Sequence, residues 1–186
     1  DYSNQLKPID SLNMNERIYA MDISFPSLCS ALVNKTVMIF DITNMSKPIE
    51  QTCNLLKHQL RCIATFPHQK GFAVGSVEGR CAIHYINDYS DRNMKNFAFK
   101  CHRKKPNVYA VNSIKFHKQL GTFSSAGGDG TIYFWDKDQK QKLKELEQMK
   151  LSITDVDFNY DRQLFAYAIS YDWSKEIEYF KPNEQP

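Results

Sequence analysis

Few residues of this chain have the types and spacing for chemistry, and most lack the partners that the chemistry requires. Cys101-His102 puts a thiol beside an imidazole, two side chains that ligate zinc. Zinc needs a second ligand pair at matching spacing. The five cysteines (Cys29, Cys53, Cys62, Cys81, Cys101) form no CxxC pair, so no metal or cofactor is expected. Gly127-Gly-Asp-Gly130 is glycine-rich like a phosphate-cradling loop. It joins two strand-like runs, whereas a phosphate loop has a helix behind it. The histidines and carboxylates offer no readable set of nucleophile, base and orienting group, and no enzyme is expected. Binding chemistry remains. Trp135 and Asp136 stand just before Lys137, Lys140 and Lys142. An exposed aromatic beside cations can stack on a base, for about 1–3 kcal/mol per stacked base. His102-Arg103-Lys104-Lys105 reads either as a solvated basic loop or as a salt-dependent phosphate contact. Arg80, after the Glu78-Gly79 turn, taken alone is a solvated strand-end charge.

The elements that position these residues are short and repeated. Ile18–Phe25 reads like Leu60–Phe66, Ala110–Phe116 and Ile153–Phe158. The closing phenylalanines are 41, 50 and 42 residues apart. Each segment leads into an apolar run, a polar turn and a second apolar run. A period of about 40–45 residues with a Trp-Asp ending is the WD-repeat pattern of a β-propeller, and Trp135-Asp136 supplies that dipeptide. The fold class expected is all-β.

The bulk properties agree. Hydrophobic residues make up 42% of the 186, so the chain can build a core. A net charge of +3 permits nucleic-acid contact without arguing for it. Scattered cysteines in odd number read as a reduced, intracellular protein. No apolar run approaches the about 20 residues of a membrane helix, and no membrane insertion is expected. A chain that starts at Asp1 rather than Met reads as an excerpt of a longer protein.

In repeat register, strands are predicted near 18–24, 28–33, 36–41 and 47–54. The next set falls near 60–65, 72–76, 80–86 and 96–101, the third near 109–115, 121–126, 131–135 and 142–147. The last falls near 152–157, 163–169 and 176–180. Blades are expected at 18–54, 60–101 and 109–147, with a partial blade at 152–186 and the outer strand of a preceding blade at 1–13. That makes three full four-stranded blades and parts of two more. Asp129-Gly130 is a strong hairpin signal. Residues 137–149 contain good helix formers, with Leu143, Leu146 and Met149 at helical spacing. The repeat register puts an outer strand there, and the strand is preferred.

At Gly71–Asn87 a specific resemblance appears, supported by Phe97-Ala-Phe-Lys-Cys-His-Arg103, Phe134-Trp-Asp-Lys-Asp138 and Ala168–Lys175. These stretches resemble the WD-repeat mRNA export factors of the nuclear pore, the Rae/Gle family, over nearly the whole chain. The resemblance implies the C-terminal half of a seven-bladed propeller and an adaptor in mRNA export. It implies binding to RNA and, through a helical hairpin called the GLEBS motif, to an FG-repeat nucleoporin. It also implies residence in the nucleus and at the pore, with shuttling to the cytoplasm. The related mitotic-checkpoint propellers share the Glu-Gly-Arg and Phe-Lys-Cys-His-Arg patterns and imply the alternative: a spindle-checkpoint scaffold for GLEBS-like motifs of kinases. By the same resemblance Arg80 lies on the face that meets the nucleoporin. Phe99 and Trp135 form the apolar floor of a side groove, with Lys137, Lys140 and Lys142 at its rim. Family members take a methionine-bearing acidic peptide there, in competition with RNA.

Overall fold

The computed structural model describes residues 11–53, 55–86, 95–175 and 177–180. Three four-stranded antiparallel sheets follow one another along the chain. The first holds β1 (Ile18–Ser24), β2 (Ser27–Leu32), β3 (Thr36–Asp41) and β4 (Glu50–Cys53). The second holds β5 (Leu60–Thr65), β6 (Gly71–Ser76), β7 (Arg80–Tyr85) and β8 (Phe97–Lys100). A two-residue hairpin, β9 (Arg103–Lys104) and β10 (Asn107–Val108), precedes the third sheet. That sheet holds β11 (Val111–Phe116), β12 (Phe123–Gly127), β13 (Ile132–Asp136) and β14 (Gln141–Glu145). β15 (Ile153–Phe158) and β16 (Phe165–Ile169) make a two-stranded fourth sheet.

In the second and third sheets burial falls off toward the outer strand. β6 is buried along its whole length, and its sequence Gly-Phe-Ala-Val-Gly-Ser has no charge. β14, Gln-Lys-Leu-Lys-Glu, is exposed along its whole length. Sheets pack face to face, so apolar residues of adjacent sheets share a core. Val37, Ile39 and Cys29 meet Leu60, Phe72 and Val74; Ile83 and Phe66 meet Val111, Phe116 and Phe123; Ala126 and Ile132 meet Ile153 and Val156. Polar ties cross the same joints. Asp22 Oδ2 accepts from Thr65 N and Oγ1, and Ser113 Oγ donates to Asp155 Oδ1. This is a partial β-propeller.

The helix-like segment is a strand, as the register required. Trp135 pairs Lys142 and Asp136 pairs Gln141, so the outer edge of β13 finds its ladder partners. A helix would leave those groups of β13 without their ladder partners. Leu146 and Met149 pack against the core, while Leu143 stays exposed.

Two expectations change. The strand near 176–180 is a single 3₁₀ turn, Ile177–Tyr179. Phe180 stacks on Trp173 there, at 5.2 Å and 20°. The fourth sheet therefore has two strands among the described residues, not three. Of the segment 1–13, residues 1–10 lie outside the described residues, and 11–13 are not strand. At the first and last sheets apolar residues lie open, Met21 and Ile23 on β1, Leu164 and Tyr167 at β16.

His84 sits in the joint between the first two sheets. Its ring stacks on Phe72 at 5.0 Å and 8°, and neither ring nitrogen has a hydrogen-bond partner among the described residues. Burial pushes its pKa down to about 4 from an ordinary 6.5. The neutral ring is the folded form. Above pH 6.5 the folded and unfolded states are both neutral there, and the full contribution is present. Between 6.5 and 4 only the unfolded state takes up the proton, so stability falls as pH falls, by up to about 1.4 kcal/mol per pH unit. Denaturant unfolding of the full-length protein between pH 4.5 and 7.5 should show this slope, and His84→Phe should flatten it. A slope that survives the substitution would assign the effect elsewhere.

Candidate functional site

The site is built on a buried polar chain of four side chains. His102 follows β8 and is 0% exposed. Its Nδ1 is 2.8 Å from Asp129 Oδ1 and its Nε2 is 3.0 Å from Ser125 Oγ. Trp135 Nε1 donates to the same Ser125 Oγ at 2.9 Å. A carboxylate only accepts, so Nδ1 carries the proton and donates to Asp129. Nε2 then accepts from the Ser125 hydroxyl, whose oxygen accepts from the indole. Asp129 Oδ1 also accepts from Thr131 N, closing the Asp129-Gly130 hairpin. His102 is therefore not part of a solvated loop, and both its nitrogens are engaged, which removes it as a metal ligand. Its neighbours in the basic run differ. Lys104 Nζ donates to Gln148 Oε1 at 2.7 Å, and Arg103 belongs to the corner described below.

Held by this chain, Trp135 forms one wall of a groove of about 320 Å³ between the second and third sheets. Phe99 meets it with ring centroids 4.7 Å apart. Phe97 and Lys100 of β8, Phe123 of β12 and Gln141 of β14 complete the lining with Asp136, Lys137 and Lys140. Asp136 Oδ1 accepts from Asp138 N and Gln139 N, which shapes the turn carrying the lysines. Lys140 takes a positive φ of 55° and puts its ammonium 4.9 Å above the Phe97 ring. Beneath Phe99, Cys81 and Cys101 place their sulfurs 3.5 Å apart. Burial first, then the contact with Cys101, raises the Cys81 thiol well above its ordinary pKa, so it stays protonated.

The structure brings Phe99, Trp135, Asp136, Lys137 and Lys140 together at the groove and leaves the other three out. Lys142 does not line it: its ammonium pairs with Glu145 at 2.7 Å and lies over Tyr133. Lys137 lines it but is only 7% exposed; its ammonium is 2.6 Å from Asp138 and sits over Phe66. It is an engaged cation, not a free one at the rim. Arg80 and Arg103 gather instead around Glu78, whose Oε2 is 3.7 Å from Arg80 Nε and 3.8 Å from Arg103 Nη2. Arg103 Nε donates to the Glu78 carbonyl at 2.9 Å. Sequence reasoning missed Phe97 and Phe123. The alternation Phe97-Ala-Phe99 was the available signal for the first, since residues two apart share a strand face.

The polar chain should carry stability as well as shape. His102→Ala leaves the buried Asp129 carboxylate with Thr131 N as its remaining donor among the described residues, which costs about 3 kcal/mol. Trp135→Phe keeps a ring and loses one hydrogen bond, for about 1 kcal/mol. Chemical denaturation of the full-length protein measures both. Equal small losses would show that the chain is not structural.

A WD domain, G-beta repeat model matches residues 94–136, the stretch that carries β8 to β13 and the four groove aromatics. Protein RAE1 of Arabidopsis thaliana is 38% identical over 178 residues, 96% of this chain and 50% of its own length. The mRNA export factor GLE2 of Chaetomium thermophilum is 46% identical over 176 residues, 90% of this chain and 48% of that protein. The Poly(A)+ RNA export protein of Schizosaccharomyces pombe is 44% identical over 175 residues, 92% and 49%. Among solved structures, U3-55K superposes on 78% of this chain and 44% of its own, with TM-score 0.65 and 13% identity, a likeness of fold alone. The chain spans about half the length of the curated relatives it matches. With this repeat, this partial propeller and these homologues, the chain belongs to the WD-repeat proteins of the Rae1/Gle2 mRNA export family.

Proposed function

We propose that the protein containing this chain is a non-enzymatic adaptor in nuclear export of mRNA. The observation that carries this is the groove. Phe99, Trp135 and Phe97 offer ring faces beside the Lys140 ammonium, the combination that holds an unpaired base and its phosphate. Relatives at 39–46% identity are named for RNA export. On this reading single-stranded RNA lies in the groove. The Arg80–Arg103 corner faces the acidic side of a GLEBS hairpin of an FG-repeat nucleoporin, and the protein works at the nuclear pore and shuttles to the cytoplasm. The blade limits 18–54, 60–101 and 109–147, with partial pieces at 152–186 and 1–13, belong to the same proposal. So does closure of the ring by blades outside this chain. The open apolar residues Met21, Ile23 and Leu164 support it, because neighbouring blades would cover them.

In the full-length protein, Phe99→Ala should weaken binding of a single-stranded RNA oligomer by about 5- to 150-fold, the loss of one stacked base. Lys140→Glu should weaken it further at low salt. Lys142→Glu should change little, because that ammonium is already paired with Glu145. Fluorescence titrations decide, and RNA affinity indifferent to Phe99 and Lys140 would sink the groove reading. In cells, replacing the protein by the Phe99→Ala variant should hold polyadenylated RNA in interphase nuclei. If the RNA leaves normally and only chromosome segregation fails, the protein is a spindle-checkpoint scaffold.

A further inference from the structure

The ends of β1, β5, β11 and β15 surround a second, larger cavity of about 610 Å³ that the groove reading does not use. Its wall carries Lys115, Lys118 and Arg162. None of the three enters an ion pair among the described residues. Arg162 Nε is buried without an acceptor among the described residues. The backbone there is built rather than loose: Arg162 holds φ 62° and its N–H donates to Asn159 O at 3.0 Å. The wall's two carboxylates are engaged locally. Asp22 Oδ2 takes both Thr65 donors, and Asp157 Oδ1 accepts from Phe158 N at 2.9 Å. The cavity therefore presents three cationic groups with no anion assigned to them. Phe158 and Tyr160 add ring faces.

A single layer of rings separates this cavity from the groove. Phe116 lines the cavity, and its ring lies 5.1 Å from that of Phe123, which lines the groove. Phe66 packs on Phe116 at 5.2 Å, and the ammonium of the groove residue Lys137 covers Phe66 at the same separation. Phe116 pairs Phe123 and Phe123 pairs Trp135, so the cavity and the groove lie at the same end of the third sheet.

We infer that the cavity is a second nucleic-acid subsite, in which these three residues hold backbone phosphates of the same single strand whose bases stack in the groove. The inference rests on the groove taking RNA. A nucleic acid suits it better than an acidic peptide, because cations and ring faces alternate across both cavities as phosphates and bases alternate along a strand.

The test uses the full-length protein and two single-stranded RNA oligomers, one short enough to fill the groove alone and one several nucleotides longer. Lys115→Gln, Lys118→Gln and Arg162→Gln together should lower the log–log salt slope for the long oligomer by about 2, at about 0.7 per phosphate contact of a single strand. Affinity for the short oligomer should not change. Lys118→Gln alone, at an exposed position, should remove about 0.7 of slope and guards against misfolding of the triple variant. An unchanged slope for the long oligomer overturns the subsite. If Phe99→Ala still weakens binding in that case, the groove reading stands without it. Wild-type protein that binds neither oligomer overturns both. Poly-glutamate binding that the triple variant loses, with RNA binding intact, marks a peptide site and also overturns the proposal.

Discussion

The hydrogen-bonded chain Asp129–His102–Ser125–Trp135 ties together the parts on which the groove depends. It joins the segment after β8, strand β12, the hairpin at Asp129-Gly130 and strand β13. A buried imidazole without partners costs stability, whereas one whose two nitrogens are both engaged fixes its neighbours. The chain also dictates glycines. A Cβ on Gly127 would lie 2.4 Å from His102 Nδ1, and one on Gly79 would lie 2.4 Å from the His102 carbonyl oxygen. Gly79 also takes φ 64°, so it is needed twice over. Within the glycine-rich stretch, Gly127 thus lets backbone close on an imidazole, while Gly130, at φ 72°, closes on the Met149 and Leu151 carbonyls.

The groove follows from this anchoring. An indole whose N–H is held in the blade presents the rest of its ring sideways, and Phe99 from the neighbouring sheet closes on it. Both rings are half-buried, so part of their surface is left for a ligand. The site is therefore a seam between two rigid sheets rather than a loop, and its width is set by the packing of Phe116, Phe123 and Phe66 beneath it.

Much of this was legible in the sequence, for physical reasons that also mark where legibility stops. The four phenylalanines at Phe25, Phe66, Phe116 and Phe158 close equivalent inner strands, so the period announced the propeller. The strand at Gln141–Glu145 was recoverable because register outweighs local helix propensity. The burial of His102 was not. Its partners lie 23 and 27 residues away, and nothing in the run His102–Lys105 separates a core imidazole from the cations that follow it. The segment 176–180 looked like a strand by register, yet Tyr171, Trp173 and Phe180 stack locally and turn the chain instead. Phe123 was invisible as a groove residue because it is ordinary core in composition, and only the joint between sheets makes it a wall.

Charge shows the same limit. A net +3 says little about where unneutralised cations lie. Lys137 is answered by Asp138, Lys142 by Glu145, and Arg80 and Arg103 share Glu78. Such pairs at the surface contribute about 0–1 kcal/mol to stability, so their larger effect is on what the surface offers a ligand. A paired ammonium must give up its carboxylate before it can meet a phosphate, and that exchange returns little free energy. Lys140 lies over a ring, and Lys115, Lys118 and Arg162 line the larger cavity, none of the four in an ion pair among the described residues. The pairing pattern, rather than the number of basic residues, decides which cations beside the groove and that cavity are open to a phosphate.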